Sequence, residues 1–368
     1  MPAAPSMAAA AEELFAVVLF YKYTPLGDTQ EALRAAAAAQ EQLCASLGLT
    51  GRVRLALEGV NGTLGGSEAN VQRYIAAMRQ QPRFADVDWK TSASRVPPFA
   101  ALQVRCVAEI VALELPDAAY DLARRGTHLS PAQFRSELLA ADARDAVAVI
   151  DVRNSYEYQL GHFDGALDPK TRRFGQFPQW VRAELPTLQR KDKVLMYCTG
   201  GIRCEKASAY LKQLGLANVF QLEGGIHRYL QQFPDGGGLF RGKNFVFDQR
   251  VAMASEDSSV TGRCERCQTP HDTLTGTRCR YCRMHVLLCD QCRADARERG
   301  EDDDDVFCAE HLPLVAGTLD ELRARAKTLQ SEVAQEHGRG RKGRRRSLRK
   351  QLDTVERRIQ RLTPPASC

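Results

Sequence analysis

Cys198 opens the segment Tyr197-Cys198-Thr199-Gly200-Gly201-Ile202-Arg203-Cys204, directly after an apolar, strand-like run from Lys193 to Tyr197 and just before a helix-like stretch from Glu205 to Leu214. A thiol placed there meets converging main-chain N–H groups and the positive end of a helix. Both favour thiolate, the reactive form. Arg203 adds a cation that keeps its proton. Gly200 and Gly201 carry no Cβ, so the backbone can curl through positive φ with its amides turned inward. Thr199, Gly200, Gly201 and Ile202 are therefore expected to form an anion cradle, with Cys198 as nucleophile and Arg203 as its charge partner.

Spacing narrows the chemistry. The arginine follows the cysteine by five positions, one fewer than in a cysteine phosphatase loop. The tighter ring suits a single sulfur or oxygen adduct better than a tetrahedral phosphate. Cys204 could trap an oxidised Cys198 as a disulfide, or fill a small buried place in the first helical turn. The run Ala148 to Arg153 reads as a buried strand whose polar end, Asp151 and Arg153, braces the loop or borders the pocket, since sites gather at carboxyl ends of strands in doubly wound sheets. Arg172 and Arg173, after Asp168-Pro169, are candidates to meet RNA phosphates. Glu157 and His162 read as side chains that pin their turn to the backbone.

These residues need a scaffold. The Asp151-x-Arg153 strand end, the Glu157…Gly161-His162-x-x-Gly165-Ala166 element, the Cys198 loop and the Glu223-Gly224-Gly225-Ile226 turn occur in the order that resembles a rhodanese domain over residues 127–235. That resemblance implies an α/β unit with a parallel sheet and helices on both faces. Upstream, strands at 15–21, 52–58 and 87–90, helices at 29–47 and 67–80, and a hairpin at 59–66 turning on Asn61-Gly62 give the order β-α-β-β-α-β. This is a split βαβ, ferredoxin-like or acylphosphatase-like α+β domain over 14–115.

Downstream, Cys264-x-x-Cys267, Cys279-x-x-Cys282, Cys289-x-x-Cys292 and Cys308-x-x-His311 supply eight candidate ligands within a cysteine-rich segment, 240–315. Eight ligands suit two closed tetrahedral zinc sites, structural because no position is left for water. Pairing can be sequential or interleaved, and His271 or His285 could replace a ligand. Zinc would hold together a segment too small to bury an adequate core by itself. Thr318 to Glu321 forms a capping box that starts a basic helical tail, 318–368. Residues 339–350 hold eight basic side chains in twelve, Arg344, Arg345 and Arg346 among them, on a chain of formal net charge +6. Such a run suits phosphate contact as well as plain solvation. Asp302 to Asp305 reads as a solvated acidic loop.

The whole arrangement resembles the tRNA uridine(34) hydroxylase family, with Glu58-Gly59-Val60-Asn61-Gly62-Thr63 and Gly242 to Arg250 as further matching stretches. The resemblance implies oxygen-dependent conversion of wobble uridine to 5-hydroxyuridine, with dioxygen as co-substrate, the anticodon loop of tRNA as partner, and the loop cysteine essential. The Arg-rich tail departs from that pattern. A sulfurtransferase carrying a persulfide on Cys198 and a zinc-bearing RNA-binding scaffold are the other function classes the residues admit. No flavin or haem motif is visible. No run of eighteen apolar residues exists, and Glu12 and Glu13 are unlike a transit peptide, so a cytoplasmic protein is expected. Oligomeric state is not legible.

Overall fold

The computed structural model describes residues 14–141, 146–257, 259–298, 306–338 and 342–363. The acidic run Asp302–Asp305, Glu12, Glu13, Arg339 and Arg341 lie outside them. The chain divides into two compact units, residues 1–261 and 262–368.

The first unit begins with β1 (Phe15–Tyr23), α1 (Gln30–Ser46), β2 (Thr50–Ala56), β3 (Gly59–Gly66), α2 (Glu68–Arg79), β4 (Lys90–Ser94) and β5 (Leu102–Cys106). Thr29 and Ser67 cap the two helices, each side chain accepting from the N–H three residues on. The five strands lie in the order β4-β1-β3-β2-β5. One face packs Phe20, Val53, Leu55 and Leu64 against Leu33, Tyr74 and Met78 of the helices. The other face carries Leu19, Tyr21, Arg52 and Arg54, because alternate residues of a strand point oppositely.

The turn expected at Asn61-Gly62 is not there. Register pairs Ala56 with Gly59, so the chain reverses at Leu57-Glu58 and residues 59–66 form one strand. Asn61 Nδ2 donates to the Ile110 carbonyl at 3.0 Å. Gly62 is glycine for a different reason: a Cβ would sit 2.4 Å from the Phe20 ring. The strand expected at 87–90 begins only at Lys90, and β5 was not foreseen: Leu-Gln-Val-Arg-Cys alternates as a strand does, but over only five residues.

The rhodanese-like part follows as β6 (Thr127–Leu129), α3 (Pro131–Ala141), β7 (Val147–Asp151), α4 (Ser155–Leu160), β8 (Gly161–Phe163), α5 (Phe177–Leu188), β9 (Lys193–Tyr197), α6 (Ile202–Gln213), β10 (Val219–Leu222) and α7 (Gly225–Gln232). Strands β6, β10, β9 and β7 make a parallel sheet in that order. Ile150, Val194 and Met196 pack under α5 and α6, whereas Val149, Leu195 and Tyr197 pack under α3 and α7. Helices thus cover both faces, and the apolar strands of a buried parallel sheet follow from that. β11 (Phe240–Phe245) and β12 (Ala252–Ala254) extend β8 as a small antiparallel sheet. Residues 240–254 therefore belong to this unit rather than opening the cysteine-rich segment.

Buried charge joins the five-stranded sheet to the rhodanese-like part. Lys206 on α6 has no exposed side-chain surface, and its ammonium lies 2.9 Å from Glu58 and 2.6 Å from Glu109, with a third bond to the Val111 carbonyl at 3.1 Å. The stretch around Arg250 does the same on another side. Arg250 pairs with Asp248 and donates to Ser92 Oγ and the Ala93 carbonyl of β4 at 2.8 and 3.0 Å.

The second unit contains α8 (Asp290–Glu298), α9 (Leu312–Val315), α10 (Leu319–Gly338) and α11 (Lys342–Leu362). Thr318 and Glu321 bond reciprocally at the start of α10, as the capping box requires. From Lys342 onward the basic run is helical: α10 and α11 pair through Leu322, Ala326, Leu329, Leu348 and Val355. Among the described residues no helix is long and apolar enough to cross a membrane.

Removing one partner of a buried ion cluster leaves like charges facing each other at a cost of about 3 kcal/mol. Lys206→Met should therefore lower the unfolding free energy of the first unit by that amount, read in urea as a lower midpoint at unchanged slope, and an unchanged midpoint would show that Lys206 does not tie α6 to the first sheet.

Candidate active site and metal centres

Cys198 lies at the carboxyl end of β9, wholly buried, with the loop 199–201 curling over its sulfur. Gly201 takes φ +101° and its N–H donates to Cys198 Sγ at 3.2 Å. Burial by itself raises the thiol's pKa. A hydrogen bond from the Cys204 thiol, the Arg203 charge and the amides of Arg203 and Gly200 outweigh it and bring the value down to about 5. Cys204 is held protonated by its own burial and by its bond to Cys198. It is thus a donor to the thiolate, a role sequence reasoning had not given it, and the described cysteines are all free.

The loop is fixed from behind. Gly225 takes φ +66° against it, and a Cβ there would lie 2.5 Å from the Cys198 carbonyl and 2.7 Å from the Gly200 nitrogen. The Ile226 and His227 amides donate to the Cys198 and Thr199 carbonyls, each at 3.0 Å. The Gly-Gly turn noted in the sequence is therefore the back wall of the cradle.

Arg203 does not reach freely for an anion. Its guanidinium forks onto Glu157 with both bonds at 2.7 Å, and Thr199 Oγ1 lies 3.2 Å from each partner. Burial opposes the Glu157 charge, but Arg203 holds its carboxyl below the usual range. Glu157 also accepts from the Asn154 amide at 3.0 Å, so it does pin its turn, yet its larger task is to orient Arg203. Asp151 and Arg153 do not border the cavity. Both are fully buried and bonded to each other, with Arg153 Nη2 donating to the Gly161 carbonyl at 2.6 Å. They brace the strand end.

The sulfur lies in the wall of a cavity of about 310 Å³, at the lower end for small-molecule sites. Its opposite wall is the polar face of the first sheet: Leu19, Tyr21, Arg52, Arg54, Asn61 and Thr63, with Phe99, Glu114, Arg173 and Phe247 around the mouth. A Cβ on Gly200 would meet Leu19 at 2.8 Å, and one on Gly201 would meet the Tyr21 hydroxyl at 2.8 Å. Tyr21 donates to Glu205 at 3.0 Å and Tyr23 to the Ile202 carbonyl at 3.2 Å. Arg173 pairs with Glu114 at the rim, while the Arg172 amide bonds Gln176 at 2.8 Å. Phe247 is 44% exposed, and Arg203 lies 5.8 Å from its ring centre. The sequence had singled out Glu58–Thr63 and Gly242–Arg250 without a role. The first supplies part of the cavity wall, and the second carries Phe247 on a strap tied to β4. Arg52 and Arg54 were missed, although two arginines alternating with Val53 and Leu55 are the mark of a strand with one charged face.

The eight metal-ligand candidates form two groups by interleaving: Cys264, Cys267, Cys289 and Cys292, and Cys279, Cys282, Cys308 and His311. All ligand atoms of a group lie within 4.8 Å of one another. The Cys267–Cys289 and Cys282–Cys308 sulfurs are 3.6 and 3.9 Å apart. Tetrahedral thiolates at about 2.3 Å from a common ion would be about 3.8 Å apart, so the residues fit a metal ion in each group. His271 and His285 belong to neither. Arg344, Arg345 and Arg346 lie in the first turns of α11.

Comparison with known proteins finds three family models along the chain. Residues 15–110 match the UPF0176 acylphosphatase like domain, 134–232 the rhodanese-like domain and 241–309 the rhodanase C-terminal domain. A Brucella ovis protein named tRNA uridine(34) hydroxylase is 37% identical over 294 residues, which cover 77% of this chain and 93% of that protein. The chain belongs to the tRNA uridine(34) hydroxylase family. Rhodanese-like domain-containing protein 6 of Arabidopsis thaliana is 40% identical over 303 residues, and this chain spans about half of it, 51%. Among solved structures, the rhodanese-like domain of an Anabaena protein covers 39% of this chain and 98% of itself at 22% identity, with a TM-score of 0.26. So low a score adds nothing to the fold described above.

Two measurements test these sites. The ultraviolet thiolate signal lost on Cys198→Ser should titrate with a midpoint near about 5, rising as pH rises through it. Cys204→Ala should move that midpoint upward, since a donor to the ionised form is lost; a midpoint that stays put removes Cys204 from the site. Metal analysis of the purified chain should find about two ions per molecule, and chelation should unfold the segment that bears them.

Proposed function

We propose that this chain hydroxylates the wobble uridine of tRNA at C5, using Cys198 as a covalent nucleophile. What carries the reading is a sulfur held ionised by buried donors, facing a cavity walled by arginines and an exposed aromatic ring. Uracil C5 is not electron-rich enough to take oxygen readily. Addition of the Cys198 thiolate at C6 gives C5 enolate character, and charge on the pyrimidine is balanced by Arg203 and the loop amides. Dioxygen is captured at C5, an electron pair from an external reductant cleaves the O–O bond, and loss of the C5 proton expels the thiolate. Water and 5-hydroxyuridine are the products. Phe247 offers a face on which an unstacked base can rest, the usual manner of holding single-stranded RNA. Arg173 at the cavity rim and Arg344, Arg345 and Arg346 on α11 suit phosphate contact.

The two interleaved ligand groups fit zinc. Cys264, Cys267, Cys289 and Cys292 would hold one ion, and Cys279, Cys282, Cys308 and His311 the other. Four protein ligands leave no open position, so zinc would supply structure and no chemistry. Free thiols and reduced ligands suit a cytoplasmic setting.

Nucleoside mass spectrometry of tRNA decides the matter. Cells lacking the protein should lose 5-hydroxyuridine at the wobble position, and wild-type but not Cys198→Ser protein should restore it. Restoration by a folded Cys198→Ser chain removes the nucleophile from the reaction. Rapid thiocyanate formation from thiosulfate and cyanide, with tRNA nucleosides unaltered, would instead make the protein a sulfurtransferase.

A further inference from the structure

The cavity accounts for one nucleotide, but an anticodon loop brings its neighbours with it. Strand register shows where they can go. Opposite Tyr21 on β1 lies Asn61 on β3, then Arg54 on β2, then Arg105 on the edge strand β5. A second row runs beside it through Leu19, Thr63, Arg52 and Gln103. Both rows begin on the residues that touch Gly200 and Gly201 of the cradle and end at the sheet edge. Strands are spaced about 4.8 Å apart, so each row carries polar side chains about 14 Å away from the catalytic loop.

The rows lie on one face. Val53 and Leu55 between the arginines are buried against the helices, and Leu102 and Val104 of β5 pack on that same core. Gln103 and Arg105 are exposed on the opposite side, together with Arg52 and Arg54. Arg52 stacks on Phe99 at 5.8 Å. Within the described residues, the Arg54 and Arg105 side chains form no hydrogen bond or ion pair, although their backbones are paired in the sheet. The cavity's own carboxylate, Glu114, is taken up by Arg173, and Glu58 and Glu109 are taken up by Lys206. The face therefore presents unneutralised cations in line with the catalytic sulfur.

We propose that this face carries the sugar-phosphate backbone of the RNA strand continuous with the nucleotide over Cys198, with Arg54 and Arg105 on separate phosphates. This rests on the function proposed above and adds a location to it. Guanidinium groups bind phosphate in a forked geometry that lysine cannot copy. The polar amides of Asn61 and Gln103 sit beside them without adding charge. Binding along this face is read from the backbone, so it is indifferent to base identity.

The test is a salt titration of binding between full-length protein and an anticodon stem-loop RNA with uridine at the wobble position. Arg105→Ala should weaken binding several-fold and lower the slope of log affinity against log salt by roughly 0.7 to 0.9, the contribution of one phosphate contact. Arg54→Ala with Arg105→Ala should lower it by about twice that. Arg105→Lys should keep the salt slope while losing some affinity. The Cys198 thiolate titration and the thermal unfolding of Arg105→Ala should match the wild type, which separates lost contact from lost fold. A wild type that binds while Arg105→Ala binds equally well, with the same slope, overturns the path but leaves the function standing. A wild type that does not bind the RNA overturns both.

Discussion

An ionised sulfur buried away from water has to be surrounded by donors, and most of the first unit follows from that demand. Water would otherwise solvate the charge, and burial alone pushes a thiol toward its neutral form. Cys198 keeps its charge because the Gly201 amide, the Cys204 thiol and the Arg203 guanidinium close around it. Each donor has to be held in turn. Glu157 forks onto Arg203, Asn154 anchors Glu157, and Gly225 lets the following turn press on the loop from behind. The Asp151–Arg153 pair fixes the neighbouring strand end. Few of these side chains touch the cavity, yet the charge at the sulfur depends on all of them.

The second demand is a partner surface. The first sheet lies over the Cys198 loop, near enough that Gly200 and Gly201 cannot carry a side chain. The N-terminal domain therefore makes half of the cavity. Buried Lys206 and the Arg250 strap hold the first sheet and the rhodanese-like part in that relation. Dispersion and hydrogen bonds over such an interface depend on close packing, which is why Gly201 is needed twice, for backbone angle and for clearance, and Gly200 for clearance alone.

Much of this was legible in the sequence, because chemistry and period leave local marks. The Cys198 loop, the capping box at Thr318 and the parallel sheet all follow from short-range patterns. What was hidden depends on long-range contact. Asn61-Gly62 has the composition of a turn, but the Phe20 ring needs the space above Gly62 and the Ile110 carbonyl takes the Asn61 amide, so tertiary packing overrides the local signal. Asp151 and Arg153 look like pocket residues until each is seen to satisfy the other. Glu157 lies 46 residues from Arg203, and no spacing rule joins them. The pairing of the ligand groups was likewise open, since four equal Cys-x-x-Cys or Cys-x-x-His steps can be combined in more than one way.

The interleaving settles how that small segment can exist at all. The first group spans 264–292 and the second 279–311, so each range contains half of the other. No contiguous piece holds one complete ligand group without two thiols that belong to the other. The segment cannot be halved without splitting a ligand group: until His311 has left the ribosome, Cys279, Cys282 and Cys308 lack their fourth partner, while the first group is already complete.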